Sequence, residues 1–117
     1  MNTIEIVASA KGELSNCIFA EGARIASLGD FLDLMANCPT NTMILRKADL
    51  PPAFFDLKTG VAGEYLQKIS NYRRRLILVG DFKAVKGRAF ADFVRESNRT
   101  GQVVFAPDIP GGIELLK

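Results

Sequence analysis

The chain has 117 residues, 48% hydrophobic and 24% charged, with a formal net charge of +2. That length suits one domain with a real core, and the charge is too small to argue for nucleic acid as a partner. Histidine is absent, which removes Ser-His and Cys-His nucleophile systems and the commonest zinc ligand, so acid–base chemistry would rest on Asp, Glu, Lys or Tyr.

No apolar run reaches the length of a membrane span, and Met1-Asn2-Thr3-Ile4-Glu5 lacks the basic-then-apolar pattern of a secretion signal. A cytoplasmic protein with no membrane partner is expected. The two cysteines, Cys17 and Cys38, are too few and too poorly spaced for a zinc site or a disulfide framework. They read as small apolar packers, and no cofactor is implied.

In chain order, residues 2–8 and 14–20 are short strand-like runs around Lys11-Gly12-Glu13, the pattern of a hairpin turn. Ser27-Leu28-Gly29-Asp30 has the Ser-x-x-acid signature of a helix start, and Leu28, Phe31, Leu32 and Met35 recur at helical spacing before Asn37 and Pro39 end the run. Thr42 to Arg46 reads as a third strand. Asp49-Leu50-Pro51-Pro52 begins a turn with a short helical piece through Phe55.

A second helix is predicted from about Val61 to Tyr72, with Ala62, Tyr65, Leu66, Ile69 and Tyr72 as its apolar stripe. Arg75 to Gly80 is an uninterrupted apolar run, as in a strand covered on both faces. A third helix, about Gly87 to Asn98, would bury Ala89, Phe90, Phe93 and Val94 and stop near Gly101. Gln102 to Ala106 reads as the last strand. Asp108 to Leu116 reads as a short final helix weakened by Gly111 and Gly112. The order β-β-α-β-α-β-α-β-α predicts a single α/β domain over residues 1–117, with a mixed, mostly parallel sheet and right-handed crossovers.

Chemistry is sought at two places. At the opening of the second helix stands Phe54-Phe55-Asp56-Leu57-Lys58-Thr59-Gly60-Val61-Ala62-Gly63. Backbone N–H groups at a helix start attract anions or a phosphorylated hydroxyl, and Thr59 sits where such a group would be displayed. Simple capping by Thr59 is the competing reading. Gly60 permits a tight turn, and Gly63 lets a backbone or ligand approach closely or serves packing against the sheet.

The second place is the loop after the fourth strand. Lys83, Lys86 and Arg88 surround the third helix start, where positive charge opposes the helix dipole. They favour an anionic ligand or acidic partner beside Asp81 and Phe82. Asp49, Asp81 and Asp108 follow parallel strands at the carboxyl edge, where ligands of open α/β sheets gather. They could serve Mg²⁺ or acid–base chemistry, although Asp49 and Asp108 also read as turn or capping residues. Phe54, Phe55 and Phe82 would contribute aromatic surface to a partner site.

Phe54 to Gly60, Ala62 to Tyr72, Val79-Gly80-Asp81-Phe82 and Asp92 to Asn98 resemble a bacterial family known as domain of unknown function 4180. The resemblance covers nearly the whole chain and implies no mechanism. More distantly, the element order and Asp56-Leu57-Lys58-Thr59-Gly60 resemble the STAS domains of anti-sigma-factor antagonists. There, Asp-Ser-Ser/Thr-Gly opens a helix and the hydroxyl beside the glycine is phosphorylated to break partner binding. By that resemblance Thr59 matches the phosphoacceptor, Gly60 its glycine and Asp56 the acid, with one extra residue between acid and hydroxyl.

Two functions follow as expectations. The leading one is a STAS-like regulatory module binding a protein partner, switched at Thr59, with Asp56, Gly60 and Gly63 beside it and Phe54, Phe55, Asp81, Phe82, Lys83 and Lys86 as its surface. The alternative is a protein or enzyme that binds a small anion or nucleotide with carboxylates at the carboxyl edge. An exposed first strand would also offer an edge for a homodimer.

Overall fold

In the computed structural model, which describes residues 2–117, five strands form one sheet in the order β1-β2-β3-β4-β5. The strands are β1 (Thr3–Val7), β2 (Leu14–Ile18), β3 (Thr42–Arg46), β4 (Arg75–Val79) and β5 (Val103–Ala106). β1 is antiparallel to β2, and the remaining pairs are parallel. Helices α1 (Leu28–Asn37), α2 (Val61–Asn71) and α3 (Arg88–Thr100) make the crossovers, and α4 (Ile109–Leu115) follows β5. This is the predicted mixed, mostly parallel α/β domain. Among the described residues no helix is long and apolar enough to cross a membrane.

Strand residues alternate between two apolar layers, as the two-residue period requires. Cys17, Met43, Leu45, Leu76, Leu78, Val103 and Phe105 face the larger layer, together with Phe31, Tyr65, Ile69 and Phe90 from the three crossover helices. Leu14, Ile44, Ile77 and Val104 face the other, covered by Leu116 and, from α4, Ile109 and Ile113. Both faces of β4 are therefore buried, which explains its unbroken apolar run.

Gly112 explains why α4 carries a destabilising glycine pair. A Cβ there would lie 2.3 Å from Ile77 Cγ2, so only glycine lets the helix rest directly on β4. Local caps behave as their residue types dictate. The Ser27 hydroxyl accepts from Asp30 N–H at 3.1 Å, and an Asp108 carboxylate oxygen accepts from Gly111 N–H at 2.8 Å.

Two expected burials, Tyr72 and Ala89, are corrected. Tyr72 is 60% exposed, because α2 ends at Asn71 and the chain turns away through Arg73 at φ 55°. Ala89 is exposed in the first turn of α3, where the next residue, Phe90, is the one that enters the core. On α1, Phe31, Leu34 and Met35 are buried, and Leu28 and Leu32 are half-buried and pack against the same core.

Candidate interaction surface

Between β3 and α2 the chain runs through three consecutive 3-10 turns, at Lys47–Asp49, Pro52–Phe55 and Leu57–Thr59. Repeated prolines and an Asx cap explain the choice. Pro51 and Pro52 set φ near the helical value while denying longer helical bonding, and the Asp56 carboxylate accepts from Lys58 N–H at 3.2 Å. Gly60 then adopts φ 79°, a left-handed turn that glycine takes without steric cost, and launches α2.

Thr59 is exposed, yet its hydroxyl is engaged. Oγ1 lies 2.7 Å from the Ala53 carbonyl oxygen and 2.8 Å from that of Asp56, and it accepts from Val61 N–H at 3.2 Å. One hydroxyl proton is shared between the two carbonyls while a lone pair caps the helix. Thr59 thus stands one residue before the N-cap, Gly60, and satisfies the first helical N–H, and the hydroxyl also braces the turn that carries Phe54 and Phe55. Gly63 is exposed with nothing within 4 Å of its Cβ position. Packing against the sheet does not explain it.

The loop after β4 meets this turn directly. Lys47 Nζ donates to the Asp81 carbonyl oxygen at 2.9 Å and stands 5.9 Å from the Phe55 ring centroid, within cation–π range. Phe55 and Phe82 are half-buried with centroids 6.3 Å apart, and Phe82 packs edge-on against Phe105 at 5.0 Å. Lys47 and Phe55 thus bring the turn before α2 into contact with Asp81 and Phe82, while the hydrogen bonds of Asp56 and Thr59 stay within their own turn. Lys86 continues the same loop as an exposed cation before α3.

Phe54 is corrected: it is fully buried, edge-on to Tyr65 at 5.9 Å, and offers no surface. The sequence reading also missed Lys47. Its signal was Gly80, because β3 and β4 pair Arg46 with Val79 and so put Lys47 across from that glycine. A Cβ on Gly80 would sit 2.7 Å from Lys47 Cβ, so the glycine makes room for the lysine to cross.

The carboxylates do not assemble. Among the described residues no three Asp, Glu or Cys side chains converge as a metal site would require. Asp49 is buried and accepts from Arg46 N–H at 2.8 Å, and burial pushes its carboxyl above the ordinary range. Asp56 and Asp108 cap turns, as above. Asp81 borders an open cleft of about 530 Å³, together with Phe82, Lys83, Phe105 and Pro107, beyond the ends of β4 and β5.

Residues 12–116 match the family described as a domain of unknown function, DUF4180. No curated protein and no solved structure matches the chain.

Proposed function

The chain belongs to DUF4180, a domain of unknown function, and on that premise we propose that it is a STAS-like regulatory module that binds a protein partner. The observation that carries the reading is the junction of Lys47, Phe55 and Phe82. It brings two segments distant in sequence into contact through half-buried aromatics, and exposed Lys83, Lys86 and Arg88 follow Phe82 along the chain. Half-buried aromatics ringed by charge are the composition of a binding hot spot, and the basic rim selects an acidic partner.

Thr59 is the switch in this reading. A phosphate on Oγ1 removes the proton donated to the Ala53 and Asp56 carbonyls and adds about two negative charges beside the partner surface. It therefore loosens the aromatic turn and repels an acidic partner together. A photo-crosslinker introduced in cells in place of Lys83 tests the surface, with Glu114 on α4 as control position. A protein adduct formed from position 83 and not from 114 is expected. No adduct at 83, or the same adduct at both, overturns the assignment.

The cleft beside Asp81 favours a second reading, a small anionic ligand held by Lys83 and the apolar wall of Phe82 and Phe105. It predicts a melting shift with inorganic phosphate or a nucleotide that disappears in Lys83→Ala. Equal melting curves across such a panel remove it.

A further inference from the structure

Cys17 on β2 and Cys38 at the end of α1 are 21 residues apart in sequence, yet their sulfur atoms lie 3.6 Å apart within the core, both as free thiols. A disulfide sulfur pair stands at about 2.05 Å, so closure needs a movement of roughly 1.5 Å by two side chains already facing each other. Their surroundings are unlike those of inert core cysteines. Arg74 Nη1 donates to the Cys38 carbonyl at 3.4 Å and to that of Thr40 at 2.9 Å, which holds a guanidinium against the Cys38 backbone. Ser15 adds a hydroxyl whose oxygen is 2.7 Å from Thr40 Oγ1.

We propose that Cys17 and Cys38 form a redox couple, oxidised by peroxide to an internal disulfide that ties β2 to the end of α1. Cys38 is the attacking thiol. It keeps 4% exposure where Cys17 has none, so a small peroxide reaches it first. The hydrogen bond shared with Cys17, the Ser15 hydroxyl and the charge of Arg74 hold its thiol below the ordinary value. The same hydrogen bond, with burial, pushes Cys17 far up.

In the first step a Cys38 thiolate lone pair attacks one oxygen of hydrogen peroxide. The O–O bond breaks, hydroxide leaves and takes a proton to become water, and Cys38 becomes a sulfenic acid. In the second, Cys17 attacks that sulfur. The S–S bond forms, the S–O bond breaks, and the departing hydroxide takes the Cys17 proton as a second water. Two thiols lose two electrons and one peroxide is reduced to two waters. A dithiol reductant reverses the couple by thiol–disulfide exchange.

The test uses the full reduced chain, treated with hydrogen peroxide at doses that leave methionine intact, then unfolded, alkylated and weighed. The expected product is an unalkylated chain lighter by about 2 Da, with both thiols restored by dithiothreitol. It forms roughly tenfold or more faster from the native chain than from the chain unfolded in urea, because the fold presents the two sulfurs together. Cys17→Ser should leave a sulfenic acid on Cys38 that dimedone traps. Full alkylation of both cysteines after treatment overturns the proposal. So does a disulfide that forms no faster in the native chain than in urea.

Discussion

Replacing Thr59 by Val keeps the shape of the side chain and deletes its hydroxyl. Two interactions go: one proton shared between the carbonyls of Ala53 and Asp56, and the cap accepted from Val61 N–H. Each hydrogen bond of this kind contributes about 0.5–1.5 kcal/mol net, and their exposure puts the sum near the lower half, about 1–2 kcal/mol. For a domain of this size that is a fall in Tm of roughly 4–8 °C. Thr59→Ser retains both interactions and should stay within about 0.5 kcal/mol of wild type. Thr59→Glu loses the donated proton but gains from its charge at the helix start, about 0.3–1 kcal/mol, and should fall between the two. Scanning calorimetry of the four proteins at one pH decides the matter. A Thr59→Val protein melting with wild type would refute the claim that this hydroxyl braces the aromatic turn.

Two glycines should respond oppositely to alanine. Gly112→Ala drives a methyl into Ile77, a fully buried residue of a central strand, and should cost about 1–3 kcal/mol or more in urea unfolding, with the penalty shrinking in an Ile77→Ala background. Gly63→Ala meets no neighbour within 4 Å and should raise stability by about 0.5–1 kcal/mol. If it also weakens partner binding, close approach at Gly63 is needed. Asp49 sets a pH signature. Its folded pKa is raised above the ordinary 3.8 by burial, so its contribution is fully present below that value and is lost as pH rises through the folded pKa. Asp49→Asn can still accept from Arg46 N–H, and its stability relative to wild type should therefore increase as pH rises across the carboxylate range, measured by urea unfolding at several pH values.

What could be read from the sequence was local. Ser27 and Asp108 announced their helices because a cap needs only residues within one turn, and the run at 75–80 named a strand buried on both faces. The opening of α2 was readable for the same reason, since Thr59 and Gly60 act on backbone groups a few residues away. Phe54 and Phe55 could not be separated, because 3-10 turns aim adjacent side chains apart and only the packing of Tyr65 and Phe82 decides which is buried. Tyr72 failed because a left-handed Arg73, unannounced by glycine, ended the helix early. The thiol pair joins a strand to the end of a helix, and the bridge from Lys47 to Asp81 joins the loops after two paired strands, so both depend on packing and register rather than on spacing along the chain.

The most direct test of the interaction surface is quantitative capture of partners from a native extract on immobilised wild type, Thr59→Ser, Thr59→Val and Thr59→Glu. Val is the control for a loosened turn without charge, since it is destabilised at least as much as Glu. A partner retained by wild type and Ser, weakened by Val and lost by Glu is the predicted result. A partner held equally by wild type and Glu would contradict the account.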